Sequence, residues 1–188
     1  MIPAGYLAKK VSPKPDWLKA PQVTEIYSLS ECISENFADY VNDWKHNGFW
    51  LFDSPDAIRL AAQASSSNLA GTHLFYYEVH EQEFDGSSWR AWEPEQSLAT
   101  NVLMPTGKQL DGFDVVTFSQ RNLPECSPLS CNGLAAEIST NAHCLLPTFE
   151  EAYSLLSGGL FNNSEPGPYR IFSVYSTSWP FDLGNRSH

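Results

Sequence analysis

Four residues with reactive side chains lie close together in the second half of the chain, namely Cys126, Cys131, His143 and Cys144. If a helix starts at Ser130 or Cys131, the free amides and the dipole of its N-terminus would favour the thiolate of Cys131. His143 would then serve as the base, with Asn141 or a carboxylate orienting its ring. This arrangement predicts a small cysteine-dependent enzyme as one of two candidate functions, although no local signature of a cysteine hydrolase surrounds Cys131.

The same side chains are candidate metal ligands, because thiolates and imidazoles bind zinc. The gap between Cys126 and Cys131 is wider than the two-residue gap usual in zinc sites. His143 and Cys144 are adjacent, so on a strand they would point to opposite faces. At most three of the four could converge without Cys32, and we therefore expect neither a metal nor a cofactor.

A third candidate is the predicted strand from Thr72 to Phe84, where polar residues alternate with apolar ones. By this alternation Tyr76, Glu78, His80 and Gln82 share one face. Glu78 and His80 could bind a metal or work as an acid and a base. The alternative, which we favour, is an ordinary solvated sheet face opposite an apolar one.

A ribbon of carboxylates is predicted on a helix that begins near Ser30 or Ser34 and ends before Gly48. The ribbon residues recur every four positions, opposite an apolar stripe, and are Glu31, Glu35, Asp39 and Asp43. Like charges at this spacing cost about 0.2–0.5 kcal/mol per pair, which a helix tolerates. The ribbon is therefore either a solvated face or a surface for a basic protein groove. Trp89 and Trp92, on a predicted loop over residues 86–98, either cover the core or form a contact patch.

The charge balance excludes several classes of partner. The chain has 22 acidic and 11 basic residues, a net charge of −11, and four of the lysines lie in the first 20 residues. A chain with this excess of acidic residues repels nucleic acids and anionic membranes. The negative charge either suits a basic protein partner or serves only to keep the protein soluble. We find no apolar run long enough to span a bilayer and no secretory h-region. Four cysteines are sparse for a disulfide scaffold, which favours the reducing cytoplasm.

The elements that must position these residues are short strands mixed with three or four short helices. Ser54-Pro55 predicts a helix through about Ala64, and Thr148 with Glu151 forms a capping box for a helix that stops at Gly158. A short helix is predicted from Cys131 to Glu137. The apolar runs at 49–52 and 142–146 read as buried strands.

Without regular βαβ alternation, this order predicts an α+β fold, with a mostly antiparallel sheet and the helices packed on it. We expect a single domain over residues 1–188, with an extended lead-in at about 1–21 and a frayed tail at about 181–188. No internal repeat is visible. The leading hypothesis is a non-catalytic acidic interaction protein, such as an inhibitor or an immunity protein, and the alternative is the enzyme that uses Cys131 with His143. The sequence leaves the oligomeric state open.

Overall fold

A computed structural model describes residues 1–29, 47–118, 124–181 and 183 of the 188-residue chain. The strands are β1 (Ile2–Lys9), β2 (Ser12–Pro13), β3 (Glu25–Ile26), β4 (His73–Phe84), β5 (Trp89–Ala91), β6 (Gln109–Thr117) and β7 (Tyr169–Thr177). The helices are α1 (Pro55–Ala64), α2 (Pro128–Cys131) and α3 (Phe149–Ser157), with a 3₁₀ turn at Leu134–Ala136. The predicted helix that carries the carboxylate ribbon lies outside the described residues.

The main sheet has the order β1-β4-β7-β6, with β5 paired to β4, and every pairing is antiparallel. Helix α1 contacts β1, while α3 contacts β6 and β7. The predicted α+β class, with a mostly antiparallel sheet and helices packed on it, is confirmed.

The sheet is built from two structurally equivalent halves. Gly5 of β1 faces Tyr77 of β4, Tyr77 faces Val174 of β7, and Val174 faces Gly112 of β6. This row of paired residues therefore begins and ends with a glycine of an edge strand. An approximate two-fold axis perpendicular to the sheet passes between Tyr77 and Val174 and relates the two edges to each other. Each half runs from an edge strand through a loop and a capped helix to a central strand.

The loop before the capped helix is the most closely repeated part of the two halves. The Asn47 side-chain oxygen accepts from the amides of Phe49 and Leu51, and its nitrogen donates to the Ala4 carbonyl. Asn141 makes the matching bonds, accepting from His143 and Leu145 and donating to Asp111. We call residues 47–53 and 141–147 the first and second Asn loops.

In each Asn loop the third residue after the asparagine has a positive φ, 64° at Trp50 and 62° at Cys144. Each loop then makes one bridge to its edge strand, Phe52 to Tyr6 and Leu146 to Phe113. These bridges bring the loop so close to the edge strand that glycine is required there. A Cβ at Gly5 would lie 2.6 Å from the Phe52 carbonyl oxygen, and one at Gly112 would lie 2.7 Å from the Leu145 Cβ.

Both capped helices begin as the sequence predicts. The Ser54 hydroxyl accepts from the Ala57 amide and the Thr148 hydroxyl from the Glu151 amide, which satisfies one free donor at each N-terminus. Helix α1 buries Ile58 and Ala62, and α3 buries Ala152 and Leu156. Two apolar clusters result, one beneath each helix.

Four expectations from the sequence are wrong. The loop predicted over residues 86–98 contains a strand, β5 (Trp89–Ala91). The runs at 49–52 and 142–146 are turns rather than strands, because the asparagine side chains bond the local amides. The structure repeats although the sequence shows no repeat, because the two loops share only Asn and Leu at equivalent positions. Residues 2–9 of the expected lead-in form a buried strand instead. In place of the helix expected over 131–137, the chain forms α2 (Pro128–Cys131), which begins at a proline, and then the 3₁₀ turn at Leu134–Ala136.

Candidate functional site

Cys131 is the last residue of α2, so the free amides at the start of that helix cannot stabilise its sulfur. It lies near Asp114. Burial raises the pKa of the Asp114 carboxyl to about 6, and a charge on the Cys131 sulfur acts in the same direction. The geometry thus removes the electrostatic reason for choosing Cys131 as a nucleophile.

His143, the predicted base, belongs to a different cluster on the second Asn loop. Its Nδ1 lies 3.1 Å from Glu25 Oε1, and its ring stacks on Tyr27 with centroids 4.0 Å apart. Among the described residues no bond joins His143 to Cys131. The structure therefore brings the predicted base to Glu25 and Tyr27, and catalysis by the predicted pair stays a prediction.

The backbone explains how Glu25 and Tyr27 reach the second Asn loop. The amides of Thr24 and Glu25 donate to the Ala142 carbonyl, and the Tyr27 amide donates to the His143 carbonyl. Asp111 completes the cluster, with Oδ1 accepting from the Ser176 hydroxyl and Oδ2 buried without a partner in the part of the chain described. Burial raises the pKa of Asp111, and His143 opposes that shift.

A second polar network lies inside the protein. The Lys9 ammonium donates to the Ser28 carbonyl, and Asp114 accepts from the Leu29 amide and the Ser127 hydroxyl. Lys9 is 3% exposed and Asp114 is fully buried. This network joins β1, β6, α2 and the segment before residue 30.

The ionisable groups of the interior network are buried away from water. Burial lowers the pKa of Lys9 to about 7, and the Asp114 charge opposes that shift. The Tyr77 hydroxyl is buried nearby without a hydrogen-bond partner among the described residues, and its pKa is raised first by burial and then by Asp114. Buried groups of this kind destabilise the folded protein when they are charged. The free energy of unfolding should therefore depend on pH through this network.

Glu78 and His80 lie on one strand but belong to separate clusters. Glu78 bonds to Lys108 and accepts from the Tyr175 hydroxyl at 3.0 Å. His80 sits among the rings of Trp89, Phe149 and Tyr153, with centroids 5.0–6.2 Å away, and burial lowers its pKa. The two side chains thus have separate local partners.

Both candidate tryptophans pack against the protein. Trp89 stacks on Tyr153 with centroids 4.3 Å apart and donates from Nε1 to the Ser157 hydroxyl. Trp92 lies under the Arg170 guanidinium, which is 3.6 Å from its ring centroid, and donates from Nε1 to the His80 carbonyl. Both are half-buried, and their roles in binding remain a prediction.

No group of three or more metal-ligating side chains that could hold an ion occurs among the described residues. Over the same parts of the chain, no helix is both long enough and apolar enough to cross a bilayer. Comparisons of the sequence and structure with protein-family models, curated proteins and solved structures gave no significant match. Function must therefore be argued from this chain alone.

Sequence reasoning missed the residues that converge on the two polar clusters, namely Lys9, Glu25, Tyr27, Asp111 and Asp114. They come from segments far apart in the chain and show no common spacing. Two signals were present. Asp111-Gly112, a turn signal in the sequence, lies at the bulge inside β6, and Asn141 begins the loop that carries His143.

Proposed function

We propose that the protein is a non-catalytic acidic protein that binds a basic protein partner, as an inhibitor or an immunity protein does. The observation that carries the proposal is the unequal pairing of surface charges. Each described lysine and arginine beyond residue 46 is bonded to a carboxylate of this chain, and these residues are Arg59, Arg90, Lys108 and Arg170. These four cations share three carboxylates, Asp56, Glu78 and Glu83, so each of them already has an acidic partner within the chain.

The acidic residues are in excess by comparison. Glu81, Glu137 and Glu150 are exposed, and none has an ion-pair partner among the described residues. Carboxylates left unmatched on a surface steer a partner of opposite charge and raise its association rate. The carboxylate ribbon, Glu31 to Asp43, would add to this field, although it lies outside the described residues.

The proposal includes a location in the reducing cytoplasm and excludes nucleic acid as a partner. No disulfide links Cys126, Cys131 and Cys144 to one another, which agrees with a reducing compartment. A net charge of −11 opposes binding to phosphate backbones. Fractionation of host cells tests the location.

The test of function is capture on the immobilised protein from host extract, followed by calorimetry with the purified partner. We expect a stoichiometric basic protein whose Kd weakens at least about tenfold between roughly 0.05 M and 0.5 M salt. A partner without excess positive charge, or an affinity unchanged by salt, would overturn the proposal.

The ribbon's share is tested by charge reversal with a matched control. Glu35→Lys with Asp39→Lys should weaken binding and flatten its salt dependence. The control, Glu81→Lys with Glu137→Lys, changes the net charge equally at described exposed positions. Equal losses from both pairs would show that net charge, and not the ribbon, attracts the partner.

A further inference from the structure

We infer that a groove at one end of the main sheet binds a neutral saccharide, a function separate from the proposed binding of a basic protein. The groove lies between residues 106–109, which lead into β6, and residues 176–180, which end β7 and follow it. We call it the 106–180 groove. Its volume of about 630 Å³ lies within the roughly 300–1,000 Å³ of small-molecule sites.

The two walls of the groove are held together by hydrogen bonds. Gln109 of β6 faces Ser176 of β7 in the antiparallel pair, and the Thr177 hydroxyl donates to the Gly107 carbonyl at 2.6 Å. The Ser176 hydroxyl is also anchored, because it donates to Asp111 Oδ1 at 3.3 Å. A groove that is shaped before binding loses less entropy when a ligand enters it.

The charges of the groove favour an uncharged ligand. None of its described lining residues is acidic, and the one cation among them is Lys108. The Lys108 ammonium is bonded to Glu78 and lies 4.1 Å from the Tyr175 ring centroid, so its charge already has a partner. A charged ligand would find no unpaired counter-charge among these residues, whereas a neutral ligand needs none.

Several hydrogen-bonding side chains in the groove are available to a ligand. Thr106, Gln109 and Ser178 line it and are exposed, and their side chains bond to no other described residue. Hydroxyl and carboxamide groups both donate and accept hydrogen bonds. Sugar hydroxyls do the same, so a saccharide can replace the water on these side chains with direct hydrogen bonds.

Trp179 supplies an apolar surface beside these polar side chains. Its indole lines the groove, packs on the first apolar cluster and donates from Nε1 to the Thr72 carbonyl at 3.2 Å, which fixes the ring. The side chain remains half-buried. One face of a pyranose ring carries mainly C–H groups, which pack against aromatic rings. The groove therefore offers both the polar and the apolar contacts that a sugar makes.

The test begins with an array of neutral and sialylated glycans, and the neutral glycan retained most strongly is titrated by NMR. Gly107→Phe adds a ring to the groove, and its Cβ meets no atom within 4 Å at a backbone φ outside the left-handed region. We expect this variant to weaken binding at least about tenfold. The matched control, Ser154→Phe at an exposed position of α3, should change the Kd less than about twofold.

A second pair of variants tests the stacking ring. Trp179→Ala should weaken binding of the same glycan about tenfold, because the apolar contact is lost. Trp17→Ala removes an indole that is 53% exposed and does not line the groove, so it should change the Kd less than about twofold.

The outcomes separate this inference from the proposed function. Retention of no neutral glycan, or of sialylated glycans alone, would overturn the groove as a site for neutral saccharides. Equal weakening by Gly107→Phe and Ser154→Phe would overturn the location of the site. None of these results bears on the salt-dependent binding of a basic protein, which capture from host extract tests separately.

Discussion

The two Asn loops have the same backbone but opposite surroundings. In the first loop, Phe49 and Trp50 are buried, and Phe49 packs edge-on against Trp92. In the second, His143 and Cys144 take the equivalent places, and the half-buried His143 meets Glu25 and Tyr27. The asparagine, the positive φ and the facing glycine are therefore requirements of the shared architecture, and the polar cluster is particular to the second half.

The largest expected effect comes from the glycines that both loops require. Gly5→Ala and Gly112→Ala each place a Cβ within 3 Å of the facing loop, at φ values of 136° and 148°. Backbone strain and overpacking together should cost about 4 kcal/mol at either position. Urea unfolding measures both. Gly71→Ala, at a φ of 75° with no atom near its Cβ, is the control for a positive φ without a steric contact.

The next largest effect is expected from replacing the two asparagines, whose contributions to the free energy of unfolding should differ. Asn47→Ala orphans the buried amides of Phe49 and Leu51 and should cost about 3 kcal/mol. Asn141→Ala should cost about 2 kcal/mol, because Asn141 is half-buried and water can reach part of its site. Equal losses in the free energy of unfolding would contradict this ranking, and a negligible loss at either site would contradict the structural role of the loop.

A third prediction concerns Asp114, whose counterpart in the first half is Leu7. Burial raises the pKa of Asp114 to about 6, above an unfolded value of about 3.9, so its ionisation destabilises the folded state. Protonated Asp114 stabilises the folded state fully below about pH 4. This stabilisation, roughly 2–3 kcal/mol of the free energy of unfolding, is lost as the pH rises to about 6. Burial lowers the pKa of Lys9 to about 7. Lys9 therefore increases the free energy of unfolding as the pH rises above that value, the opposite of the effect of Asp114.

The measurement is the free energy of unfolding of the natural protein and of Asp114→Asn from pH 4 to pH 7. The natural protein should lose stability relative to the variant across this range. Parallel pH profiles for the two proteins would show that Asp114 does not titrate there.

The smallest effect should follow from making the second loop resemble the first. His143→Phe keeps a ring to stack on Tyr27 and loses the partly exposed pair with Glu25, so stability should change by less than about 1 kcal/mol. Glu25→Gln is the matched control. A loss of several kcal/mol from His143→Phe would show that the cluster holds residues 24–27 in place.

The sequence predicted the elements whose signals are local. Ser54 with Pro55 and Thr148 with Gly158 fixed α1 and α3, and alternation fixed β4. The Asn loops could not be predicted, because one side chain bonding two amides overrides the strand preference of apolar residues.

The same limit applies to the candidate sites. Placing Cys131 at a helix start depended on where α2 begins, and α2 begins two or three residues earlier, at Pro128. The meeting of Lys9, Ser28 and Asp114 depends on three segments remote in sequence, and periodicity carries no information about such contacts. Composition, in contrast, gave the acidic excess directly.

The approximate two-fold axis between Tyr77 and Val174 has a consequence for the nascent chain. The first half, through β4, is synthesised before any of β6 or β7, and it already contains the partner strand β1. Until the second half arrives, the other edge of β4 has no strand to pair with, and an open apolar edge invites pairing with other chains. We expect the yield of active protein to depend on chaperones that cover this edge during synthesis.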